Sequence, residues 1–130
     1  FYTGVKQGDE KAQKFNRRLK TYDFQVIAKP LKKIYLSREK FIYKANFDVE
    51  MAVDLILEKD DYQTAVLFSG DSDFDYVIKK LKKFGKKVVV VCARHALSQE
   101  LRQASSECLL LGKFRREVEY IKSPRSEDRG

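Results

Sequence analysis

The stretch Ala65-Val66-Leu67-Phe68-Ser69-Gly70-Asp71-Ser72-Asp73-Phe74 decides how the rest of the chain is read. An apolar run of strand type reaches a glycine, and two aspartates follow with one residue between them. A helical pattern begins at once, with Phe74, Val77, Ile78 and Leu81 on one face. In an open α/β sheet, ligands sit in the crevice beyond the carboxyl ends of the strands. Asp71 and Asp73 are therefore delivered to the place where such a fold does its chemistry. Two readings stand at this point. The pair can hold a divalent cation, or Ser72 or Asp73 can do no more than cap the helix, with Asp75 in its first turn.

Downstream, lysines crowd the last turn of that helix, where the helix dipole favours cations, and Gly85 is placed to close it as a left-handed cap. Residues Lys87 to Ala93 form a continuous apolar strand, of the kind a parallel sheet buries on both faces. Ser98 caps a short helix containing Leu101 and Ala104, and Cys108 to Leu111 is a last strand ended by Gly112.

Upstream, a helix is predicted from Phe47 to Glu58, with Met51, Ala52 and Leu55 toward the core and Asp48 and Glu50 in its first turn. Asp48 is thus a third carboxylate near the start of a helix that feeds the decisive strand. Asp54 lies six residues on, about 120° around the same helix, and ranks behind it. Still earlier, Phe1 to Val5 reads as a strand end and Asp9 as a helix cap. A helix from Glu10 to Tyr22 carries Ala12, Phe15, Leu19 and Tyr22 on one stripe, and a strand from Phe24 to Ala28 is stopped by Pro30. This alternation of strands and helices predicts parallel βαβ units and an α/β fold, a three-layer α/β/α sandwich around a parallel sheet. The length of 130 residues suits one domain. The charged tail from Lys113 to Gly130 is expected to hold a strand or helix over Phe114 to Ile121 and disorder from Ser123 onward.

The net charge of +8 is unevenly spread. Residues 1–44 carry 12 Lys or Arg against 4 Asp or Glu, whereas residues 45–112 carry 9 against 11. A basic front before an acidic centre suits an enzyme acting on a polyanion, although a solvated basic surface would look the same. From Lys29 to Lys44, basic residues alternate with Tyr35, Phe41 and Tyr43. That mixture suits contact with the backbone and bases of single-stranded nucleic acid, or a β-excursion whose aromatics pack on the core. No apolar run approaches a membrane span, and the cysteines, Cys92 and Cys108, read as buried small side chains in a reducing cytoplasm. With the single His95 they make no zinc site. A calcium loop fails because Tyr76 replaces the glycine it needs and Lys82 the bidentate glutamate.

The residues Ser69-Gly70-Asp71-Ser72-Asp73-Phe74, then Lys86-Lys87-Val88 and Ser98-x-x-Leu101, resemble the NYN domain (LabA-like), a branch of the PIN-like nucleases. The segment Asn46-Phe47-Asp48-Val49-Glu50-Met51-Ala52-Val53-Asp54 is similar to that family's Lys-Gly-Val-Asp-x-x-Leu-Ala-x-Asp signature, and the likeness extends from Phe1 to about Gly112. The resemblance implies an acidic pocket of Asp48, Asp71 and Asp73, with Asp54 as an additional carboxylate. It also implies hydrolytic cleavage of RNA with Mg²⁺ or Mn²⁺, the ion activating water and neutralising phosphodiester charge. Phosphate contacts are expected from Lys14, Arg17, Arg18, Lys32, Lys33, Arg38, Lys40 and Lys44.

Three departures bear on activity. The family's opening strand, with its Asp-x-x-Asn, is expected upstream of Phe1, so that residues 1–112 would be the domain without its first strand and helix. Ala45 and Asn46 stand where the family prefers Lys and Gly, Asn46 being a residue that tolerates left-handed backbone. Ser106 occupies the place of a late aspartate. The competing expectation is accordingly a non-catalytic module that binds RNA or protein through a degenerate pocket. A phosphatase of the haloacid dehalogenase type is disfavoured, since residues 1–64 contain no Asp-x-Asp. The partner expected in the cytoplasm is RNA, single-stranded, without a membrane; a homo-oligomer is left open.

Overall fold

The computed structural model describes residues 1–119 as an α/β protein with two compact units, residues 1–54 and the residues from Leu55 onward. No helix among the described residues is long and apolar enough to cross a membrane.

In the first unit, β1 (Tyr2–Val5), α1 (Glu10–Lys20) and β2 (Ile27–Pro30) make a parallel strand–helix–strand, with Tyr2 opposite Ile27 and Val5 opposite Pro30. Asp9 caps α1 as its sequence position requires, its carboxylate accepting from the Ala12 N–H at 3.0 Å. The helix stops at Lys20, two residues short of the expected end. The chain turns through Asp23, which has φ of 62°, and Tyr22 and Phe24 stay exposed. In consequence β2 starts later than expected. Pro30 is its last residue rather than a stop outside it, a place where the missing N–H costs little.

Two further strands, β3 (Lys32–Tyr35) and β4 (Phe41–Lys44), pair as an antiparallel hairpin exposed along its whole length. Helix α2 (Asp48–Leu57) begins just after Phe47. Phe47 is the buried side chain of this unit, with the Tyr2 ring edge-on at 5.9 Å and the Lys29 ammonium 4.7 Å from its ring centre. Lys29 also pairs with Glu50 and holds that carboxyl below the usual range.

The second unit is built on a parallel sheet of β5 (Thr64–Phe68), β6 (Lys87–Cys92) and β7 (Glu107–Leu110), with β6 in the middle. Strand β5 alternates, Ala65 and Leu67 in and Val66 and Phe68 out, whereas β6 is buried from Val88 through Cys92, as its unbroken apolar run predicts. Helix α3 (Asp75–Lys83) lays Val77, Ile78 and Leu81 into the core. It ends at Gly85, whose φ of 76° is the left-handed cap expected there. Ser98 caps α4 (Gln99–Ala104), accepting from the Leu101 N–H at 3.1 Å, and Leu101 is fully buried.

Beyond β7, Arg115–Val118 form a single turn, α5. The disorder expected over Ser123–Gly130 concerns residues outside those described. Cys92 is buried and Cys108 half-buried, both are free, and burial pushes the Cys92 thiol up.

Candidate functional site

The exit from β5 sets the geometry of the acidic pair. Gly70 passes so close to the 3₁₀ turn Arg94–Ala96 that a Cβ built on it would lie 2.1 Å from the Ala96 carbonyl oxygen and 2.7 Å from its carbon. Only glycine allows that approach. Next, the Ser69 hydroxyl accepts from the Asp71 N–H at 3.2 Å, and Asp71 Oδ1 accepts from the Asp73 N–H at 3.0 Å. The residue capping the 3₁₀ turn Ser72–Phe74 is therefore Asp71, and neither Ser72 nor Asp73 does so, which corrects the capping expectation. The reason is the backbone path: all three polar residues have an N–H two or three residues ahead, but Asp71 alone stands just outside the turn, with extended backbone (φ −75°, ψ 125°), as a capping residue must.

Capping engages one oxygen of Asp71, so Oδ2 remains for a ligand. Both aspartates are exposed, and one carboxylate oxygen of each lies within 4.8 Å of the other. Phe74, 2% exposed, anchors the turn in the core beneath them.

Asp48, half-buried, stands in the first turn of α2. There the Asn46 Oδ1 accepts from the Asp48 N–H at 2.7 Å. Asn46 thus acts through its side chain and not through left-handed backbone, since Asp23 is the non-glycine residue with positive φ among those described. Asp54 is held otherwise: the Tyr2 hydroxyl donates to its Oδ2 at 2.6 Å. Ser106, where the resemblance leads one to expect a late aspartate, is tied into the sheet, its hydroxyl accepting from the Val88 N–H at 3.0 Å. His95 is an exposed residue of the 94–96 turn.

The basic residues singled out in the sequence divide between two elements of the first unit. Lys14, Arg17 and Arg18 lie on α1, and Lys32, Lys33, Arg38, Lys40 and Lys44 lie on the β3–β4 hairpin or its turn. Arg17 lines a cavity of about 570 Å³ at the carboxyl ends of β1 and β2, together with Lys6, Lys20 and Lys29. Of these only Arg17 is among the phosphate contacts expected from the sequence; Lys20 lies on the same helix, and Lys6 of the loop and Lys29 of β2 join them only when β1 and β2 pair. In the second unit, Lys79, Lys80, Lys82 and Lys83 line a cavity of about 400 Å³ with Tyr76. Their clustering within five residues of α3 is visible in the sequence, but the helix dipole already accounts for it.

Known proteins bear on this arrangement. The chain is 29% identical over 126 residues to the low amplitude and bright protein LabA of Synechococcus elongatus, covering 95% of this chain and 67% of that protein. A crystal structure of a Vibrio parahaemolyticus protein of unknown function superposes with a TM-score of 0.69 at 27% identity. It covers 85% of this chain, which in turn spans 65% of that one. The family model described as NYN domain matches residues 1–112. With the family model matched over most of its length and a homologue and a solved fold agreeing, the chain belongs to the NYN-domain family and carries its PIN-like, nuclease-type fold.

Proposed function

We propose that the protein is a ribonuclease that cleaves single-stranded RNA with a Mg²⁺ or Mn²⁺ ion held by Asp48, Asp71 and Asp73. The observation that carries this reading is the turn after β5. It commits Asp71 Oδ1 to the Asp73 N–H and leaves Asp71 Oδ2 and the Asp73 carboxylate exposed at the carboxyl end of a parallel strand. The donors fit the ion: hard carboxylate oxygens with no thiolate or imidazole among them, too few to fill its shell, so that water and a substrate phosphate complete it. When bound, such an ion activates water and offsets charge on the phosphodiester. Asp48 supports the ion directly or through water, and Asp54, already engaged by Tyr2, serves as a reserve carboxylate.

The chain's own cations do the binding. Arg17 at the basic cavity, with Lys14 and Arg18 on the same helix and Lys32, Lys33, Arg38, Lys40 and Lys44 on the hairpin, takes phosphates with little sequence preference. Work in the cytoplasm accords with two free cysteines.

Asp71→Asn tests the proposal. The amide oxygen can still accept from the Asp73 N–H, so the fold persists while the charge needed for the ion is gone. Cleavage of a labelled RNA in Mg²⁺ or Mn²⁺ is expected to fall by at least about 100-fold, with RNA binding retained. Undiminished cleavage by the purified variant would sink the mechanism. One observation favours the alternative, a binding module without catalysis: Ser106 spends its hydroxyl on the β6 backbone where the resemblance calls for a carboxylate. That reading predicts salt-sensitive RNA binding and no cleavage with any divalent ion.

A further inference from the structure

The register of the β3–β4 hairpin sorts its side chains. Lys33 stands opposite Tyr43 and Tyr35 opposite Phe41, so these four share one face. Lys32, Ile34, Ile42 and Lys44 share the other. The aromatic face is not packed away. Tyr35 is 65% exposed, Phe41 46% and Tyr43 42%. The rings instead pack edge-to-face on one another, Tyr35 to Phe41 at 6.1 Å and Phe41 to Tyr43 at 5.7 Å. Two ammonium groups complete the surface. Lys33 lies 3.8 Å from the Phe41 ring centre and 4.9 Å from that of Tyr35, and Lys6 lies 5.0 Å from that of Tyr43. Between Leu31 and Lys44 there are five cations and one acid, Glu39.

We infer that this face is a base-stacking platform for single-stranded RNA, an inference that rests on the RNA reading above and assigns the residues that tell single strands from duplex. The charge selects a polyanion and the exposed rings select π-faces, which unpaired bases offer and a duplex keeps stacked inside. A bound strand lays bases on Tyr35, Phe41 and Tyr43, and the ammonium groups of Lys33 and Lys6 pass from ring to phosphate. Lys6 also lines the basic cavity with Arg17, so one side chain joins the stacking surface to the phosphate-binding one. An anionic membrane surface is a poorer match. It needs a continuous apolar face, and here each face of the hairpin carries lysine.

The chain has no tryptophan, which makes Tyr35→Trp a clean reporter. In the full chain, binding of oligouridylate is expected to quench the emission of the introduced indole, whereas an abasic oligomer of equal length and charge leaves it unchanged. The double variant Tyr35→Ala/Phe41→Ala is expected to weaken oligouridylate binding by about ten-fold or more while the abasic oligomer binds as before. Lys32→Ala/Lys44→Ala is expected to weaken both oligomers alike and to flatten the salt dependence. Circular dichroism of each variant confirms the fold. Equal binding of both oligomers by the wild type, unaffected by the aromatic variant, would overturn the platform and leave the RNA reading standing. Failure of every oligomer to bind, or capture of anionic vesicles in place of RNA, would overturn both.

Discussion

The close passage of Gly70 over the 94–96 turn makes Gly70→Ala the most exacting check on the geometry of the acidic turn. A methyl carbon there would sit 2.1 Å from the Ala96 carbonyl oxygen and 2.8 Å from the Ala96 Cβ. A relaxed C···O contact is about 3.3 Å, so roughly 1.2 Å of relief is needed, and it must come from backbone on both sides. Overpacking of this kind costs about 2–3 kcal/mol when no flexible side chain can yield. With a urea dependence of about 1–3 kcal/mol per molar, the unfolding midpoint should fall by about 0.7–3 M. Gly112→Ala supplies the control. Its Cβ would meet nothing within 4 Å, and removing chain freedom from the unfolded state should leave stability unchanged or raise it by about 0.5 kcal/mol. Because Gly70 precedes Asp71, the same shift should weaken Mn²⁺ binding and cleavage. If Gly70→Ala unfolds at the same urea concentration as Gly112→Ala, the close passage is wrong, and with it the placement of Asp71.

Two further outcomes are expected. Asn46→Ala removes the acceptor for the Asp48 N–H and should cost about 1 kcal/mol in urea unfolding, whereas Asn46→Asp should restore it. Tyr62 donates its hydroxyl to the Leu55 carbonyl, and burial, with the charge of Glu58, raises its pKa above the usual value near 10. Its contribution to stability is therefore whole below pH 10 and is lost as pH rises through the elevated value. Tyr62→Phe should be less stable near neutrality by about 1 kcal/mol, and the gap should narrow in alkaline melts; a constant gap would show that the phenol does not titrate with unfolding.

What the sequence made legible was whatever local composition determines. The unbroken run in β6, the glycine after α3 and the caps at Asp9 and Ser98 each follow from side-chain chemistry within a few residues, whereas the alternation in β5 does not, since its outward residues Val66 and Phe68 are as apolar as its inward ones. The capping of the acidic turn is misassigned from sequence because three adjacent polar residues offer themselves, and only the backbone path set by Gly70 decides among them. Likewise Asn46 is expected to act through unusual backbone, but its carboxamide acts instead. The hairpin eludes a firm reading for a different reason. It has no Asn-Gly or Asp-Gly turn to announce it, and whether Tyr35, Phe41 and Tyr43 face a core depends on cross-strand register. The cavity around Arg17 depends on pairing between strands more than twenty residues apart, which no local window contains.

Strand β6 has a consequence for the chain before it folds. Val88 to Cys92 are five consecutive small apolar residues, four of them β-branched, the composition that self-associates as cross-β when left in solvent. The native sheet hides them on both faces and along both edges, through β5 and β7. A nascent chain cannot finish that enclosure until β7, some fifteen residues later, has emerged. Lys82, Lys83, Lys86 and Lys87 stand immediately before the segment and act in that interval as gatekeepers, keeping two such segments apart by charge. Lys82 and Lys83, which end α3 in the folded state, are thus, with Lys86 and Lys87 beyond it, also a safeguard for the state that precedes it.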